Sequence, residues 1–89
     1  MKAVLQRTFA HASSDTQVLA DQFVQSMQDH DPAAALADIQ QLRAMPNLTP
    51  DQRTILARAL ITTTRELQTV ADSGDPQAAQ AMHAYRVSK

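Results

Sequence analysis

Hydrophobic positions recur along the chain at helical rather than strand spacing. Between residues 14 and 29, Leu19, Ala20, Phe23, Val24 and Met27 fall within roughly 140° of one another at 100° per residue. Asp15, Asp21, Gln22 and Gln25 take the opposite side or its margins. Ala35, Leu36, Ile39 and Leu42 form a similar stripe over 32 to 44, and Ala78, Ala81, Met82 and Tyr85 form one over 76 to 87. Such stripes predict helices that each bury one side. The stretch from 50 to 72 is different, because Ile55, Leu56, Ala57, Ala59, Leu60, Ile61, Leu67, Val70 and Ala71 cover roughly two thirds of the circumference. Thr54, Arg58, Thr62, Arg65 and Thr69 form its polar stripe. A helix apolar over that much of its surface is expected to have neighbours on more than one side, which places it at the centre. A short first element over about 3 to 11 brings the number of helices to five.

The boundaries follow from capping chemistry, in which a side-chain oxygen satisfies backbone N–H groups left unpaired by the first helical turn. Ser14-Asp15-Thr16-Gln17 has the form of a capping box with Ser14 as the cap. Thr49-Pro50-Asp51-Gln52 has that form as well, with Pro at the first helical position. Asp31-Pro32 and Asp75-Pro76 are two further starts, while Met45-Pro46 and Ser73-Gly74 read as stops. The two Asp-Pro starts lie forty-four positions apart, and each follows a longer helix. The chain therefore has the outline of two helix-loop-helix units, as in α-solenoids, although such arrays need about three repeats.

Composition agrees with helices. The chain has one Gly, four Pro and three aromatic residues among 89, whereas strands and their turns draw on β-branched, aromatic and Gly residues. Its length allows one domain, so the expected architecture is an all-α bundle of four to five helices spanning residues 1–89. The formal net charge of -1 gives no electrostatic reason to seek nucleic acid or an anionic membrane. Splitting the chain at Pro46 leaves -2 before it and +1 after it, too small a difference to specify a partner. With no cysteine there is no thiol chemistry, which suits a reducing cytoplasm. Gln6 and Arg7 interrupt the apolar N-terminal residues, so no secretory leader is expected despite Ala10-His11-Ala12, and no apolar run approaches a membrane span.

Candidate chemistry is sparse. Asp29-His30-Asp31 is the densest set of metal-ligand types, but adjacent residues do not converge on one ion unaided, and a turn in which Asp31 caps the next helix accounts for them. His11, His30 and His83 are dispersed, and Thr62, Thr63 and Thr64 lack a base that would activate a hydroxyl. Thr63 and Thr64 are expected to bond to carbonyls one turn back, with Thr62 facing out. No catalytic, cofactor-binding or metal-binding residue is assigned, and the chain is expected not to be an enzyme.

The remaining features point to partners. Ala contributes little area, so a core shared by five helices is thin and some apolar stripe should stay uncovered. Leu19, Phe23 and Met27 carry the largest apolar side chains outside the central helix and are the expected contact surface, filled by a protein partner or a second copy. Arg58 and Arg65, seven apart on one helix face, read first as a solvated face and next as a pair facing a protein partner, and they are the polar residues assigned to partner contact. The methionines with Phe9, Phe23 and Tyr85 are expected first to fill the core, and a plastic groove for an amphipathic peptide is the alternative. The leading expectation is thus a non-enzymatic protein-interaction module: an adaptor, chaperone, inhibitor or subunit of a larger assembly. In size and texture the chain is similar to small helical chaperones and hairpin subunits of bacterial secretion machines. Leu48-Thr49-Pro50-Asp51-Gln52 resembles the opening of a helix in small helix-turn-helix proteins, over five residues. That resemblance implies the second expectation, a DNA-binding regulator, for which the charge balance and lack of interleaved aromatics are poor.

Overall fold

The computed structural model describes residues 2–88. Five helices follow one another: α1 (Lys2–Thr8), α2 (Ser14–Gln28), α3 (Pro32–Arg43), α4 (Pro50–Asp72) and α5 (Pro76–Ser88), with no strand among the described residues. The all-α reading and the bounds of the last four elements agree with the hydrophobic pattern. The first helix is shorter than expected, because after Thr8 the chain turns so that Phe9, beyond the helix, drops into the core.

Capping explains the starts, with one correction. Ser13, not Ser14, caps α2, accepting from the backbone N–H of Thr16 at 3.3 Å. Gln17 does not close a capping box either; its amide donates to the carbonyls of Ala10 and Ala12 and ties the incoming turn to the helix. Two adjacent serines compete for the cap, and the one whose backbone is extended takes it. At α4 the box is complete, with Thr49 accepting from the Gln52 N–H at 3.1 Å and Gln52 accepting from the Thr49 N–H at 3.0 Å. Gln52 also donates to the Thr8 carbonyl, so one buried side chain joins the start of α4 to the end of α1.

The two Asp-Pro joints are built alike. His30 (φ 55°) and Gly74 (φ 103°) stand in the left-handed region just past α2 and α4. In both, the N–H of that residue and of the following Asp bond back into the last helical turn, to Met27 and Ser26 in one case and to Ala71 and Val70 in the other. Asp31 and Asp75 then accept from the first turn of the next helix. The forty-four-residue spacing thus marks a repeated turn, and α2–α3 and α4–α5 are the two hairpins that it closes. The helices after the turns do not keep the register: Ala35, Ile39 and Leu42 are buried on α3, whereas α5 buries Ala78 and Met82, one position earlier relative to its turn.

Packing runs in series. Helix α3 lies against α2 and α4, α5 lies against α4 and more lightly against α3, and α1 fills the angle between α2 and α4. The resulting body measures 40 × 25 × 18 Å, its long axis close to the roughly 35 Å expected of a 23-residue helix such as α4. As expected, α4 has several neighbours, but they share one side and are spread along its length. Its buried residues Gln52, Ile55, Leu56, Ala59, Thr63 and Leu67 fall within about 120° of arc. Ala57 and Ile61, read from the sequence as buried, are therefore exposed, and Thr62 is half-buried rather than facing out. Leu60 is half-buried as well.

The core has two parts. The larger joins Leu5 and Phe9 to Phe23 and Val24 of α2, Ile39 and Leu42 of α3, and Leu56 and Ala59 of α4. The smaller consists of Leu36, Leu67, Ala78 and Met82, and Leu60 packs against both. Thr63 is 1% exposed, one turn from Ala59 and one from Leu67 where α4 passes from the larger cluster to the smaller. Its hydroxyl finds no hydrogen-bond partner among the described residues, contrary to the expected bond to a carbonyl one turn back. Thr64 does make its expected bond, to the carbonyls of Leu60 and Ile61. An unpaired buried hydroxyl costs about 1 to 3 kcal/mol. Thr63→Val, which keeps the branched shape and removes the polar atom, is expected to raise the urea midpoint, corresponding to about 1 kcal/mol of added stability. A lowered midpoint would show that the hydroxyl is satisfied in solution.

Candidate partner-docking site

Two grooves flank the outer face of α4. One, of about 450 Å³, runs between α4 and α5. Leu60, Ile61, Met82 and Tyr85 give it an apolar lining, and Arg65, Gln68 and Arg86 line its polar part. The other, of about 390 Å³, lies toward the turn before α3, where His30, Pro32 and Val70 meet Thr62, Glu66 and Thr69. Arg65 stands on the ridge between them and lines both. The rim of the first groove is organised: Arg86 of α5 donates to the Gln68 side chain of α4 at 2.6 Å, holding the two helices together across its edge.

The face beside this groove combines charge with apolar area. Ile61 is 55% exposed, with Arg58 three residues before it and Arg65 four residues after it, both exposed. Helical geometry puts all three on one side, with the guanidinium groups bracketing the isoleucine. The spacing arises because the buried arc of α4 takes positions 55, 56, 59, 63 and 67, leaving 58, 61 and 65 for the opposite side.

The other expected contact surface is turned inward. Phe23 is 0% exposed, and Leu19 and Met27 are half-buried against the larger core cluster. The stripe was conspicuous because it holds large apolar groups, and the same property places it in the monomer's core once α1 and α3 cover it. Among the described residues the large apolar side chains left exposed are Val4, Val18, Ile61 and Val87, none of which belongs to it. Singly placed β-branched residues interrupting polar stripes were the signal that could have found them.

The remaining candidates have structural occupations. Asp29 closes α2 and accepts from Gln25, His30 makes the left-handed turn, and Asp31 caps α3. No cluster of three or more His, Cys, Asp or Glu side chains able to hold a metal occurs among the described residues. No described helix is long and apolar enough to cross a membrane. The stretch Leu48–Gln52 does open a helix, but that helix buries one side along its length and is held from its first turn by Gln52. In comparisons with protein-family models, with curated proteins and with solved structures, no match to this chain was found.

Proposed function

We propose that the protein is a non-enzymatic protein-interaction module of the cytoplasm, and that it docks an acidic, amphipathic helical segment along the outer face of α4 and the groove between α4 and α5. The observation that carries this reading is Ile61, more than half exposed between Arg58 and Arg65 at the edge of an apolar groove. A helix laid in such a groove buries apolar side chains against Leu60, Ile61, Met82 and Tyr85, while carboxylates on its flanks meet the arginines. Arginine suits this position because its planar group pairs with carboxylates in a bidentate manner and sheds water more readily than lysine.

Affinity capture from the native source, comparing the protein with its Arg58→Glu/Arg65→Glu variant, tests the reading. Both positions are exposed, so the variant keeps its fold, as circular dichroism would verify. Protein retained by the parent and lost from the variant is the expected result, with slowed hydrogen exchange over residues 58–65 and 82–86 in the complex. Equal capture by both overturns it. Retention of duplex DNA, with affinity falling steeply as salt rises, would favour the helix-turn-helix alternative.

A further inference from the structure

The outer face of α2 is the counterpart of the outer face of α4. Val18 is 55% exposed, with Asp15 three residues before it and Asp21 three residues after it, both exposed. Helix α2 contains no basic residue at all. Each face thus presents one exposed large apolar side chain bracketed by like charges, acidic on α2 and basic on α4. The two faces belong to different hairpins, and the serial packing of the helices leaves both uncovered.

Resting on the docking site proposed above, we propose that its occupant is a second copy of this chain. The acidic face of α2 from one copy seats against Arg58, Ile61 and Arg65 of the next, with Val18 directed at the groove between α4 and α5. Three observations converge on this partner. First, the charges are complementary in sign, and each pair brackets its exposed apolar side chain within one turn on either side, which favours correct encounters and penalises like-charged ones. Second, α2 is already folded within the domain, so docking it carries no cost of ordering a helix. Third, the two hairpins share one turn geometry and pack in series, and an array of two such units is shorter than the three or so that stacked repeats need, so a further copy extends the series.

Electrostatics also limits the symmetry. A two-fold axis through the middle of the α4 face would set Arg58 and Arg65 of one copy beside the same arginines of the other. Pairing α2 with α4 avoids this, and because each copy offers one face of each kind, the contact either closes as a reciprocal pair or continues from copy to copy, which the mass reached at high concentration distinguishes.

Sedimentation of the full chain over a concentration series at low salt, with two charge-reversed variants, tests this. The parent protein is expected to rise above monomer mass with concentration and to fall back toward it as salt is added. Arg58→Glu/Arg65→Glu and Asp15→Lys/Asp21→Lys should each stay monomeric, association weakening on the order of tenfold or more. An equimolar mixture of the two should associate again in alternation, because the unchanged acidic α2 face of the first meets the unchanged basic α4 face of the second, while the reversed faces, acidic α4 and basic α2, complement each other as well. A parent that is monomeric throughout, variants that associate as it does, or a mixture that stays monomeric overturns the proposal. Any of these failures combined with selective, arginine-dependent capture of another protein leaves the docking site standing with a different occupant, whereas loss of that selectivity removes the site itself.

Discussion

Phe23→Ala is expected to cost about 3 to 5 kcal/mol, enough to unfold a large fraction of a domain this small. The ring is wholly buried in the larger cluster, between α1, α3 and the first half of α4. Truncation therefore removes its transfer free energy and leaves a cavity that rigid neighbouring helices fill only in part. Val18→Ala, on the opposite face of the same helix, should change stability by no more than about 0.5 kcal/mol, because its side chain is mostly in solvent. Urea denaturation of both variants with the parent checks the pair. The contrast also decides how α2 is turned. If Phe23 were part of a contact surface, its loss would abolish association and leave the monomer's stability nearly unchanged. Equal, small losses at 18 and 23 would mean that the helix is rotated from its place in this structure.

The hydrophobic spacing and the capping residues made most of the architecture readable in advance, because both act locally. Asp31, Thr49 and Asp75 satisfy N–H groups within three residues, and Pro32, Pro50 and Pro76 fix the first turns without reference to the rest of the chain. What was not readable was rotation. The apolar content of α4 exceeded one side of a helix, and the pattern could not show that its neighbours are arranged along its length on a single side, leaving Ile61 outside. The same ambiguity led Phe23 to be read as surface, since a large apolar stripe is suited equally to a partner and to the chain's own core. Arg58 and Arg65 were legible as an exposed pair because charged side chains seldom tolerate burial. Their significance depends on Ile61 between them and on the groove beside them, and the groove exists only because α5 folds back after Gly74.

That return also makes α5 the element most sensitive to a single contact. Its anchorage is the smaller cluster, where Ala78 and Met82 meet Leu36 and Leu67, with Leu60, Val70 and Tyr85 at the margins. Alanine offers little area, so most of the burial that holds α5 depends on Met82 and on the surface it packs against. Leu67 is the largest wholly buried side chain of that surface, at 0% exposure. Leu67→Ala is expected to cost about 2 to 5 kcal/mol, and the loss should fall unevenly across the molecule. The larger cluster, with Phe9, Phe23, Ile39 and Leu56, contains no direct contribution from α5 and can persist while α5 detaches. Amide exchange over 76–88 should then accelerate more than exchange in α2 and α3, and the groove beside Ile61, which needs α5 as its second wall, should open before the rest of the fold is lost. Uniform acceleration across all helices would show instead that the two clusters open as one cooperative unit, with Leu60 and Thr63 joining them rather than marking a division.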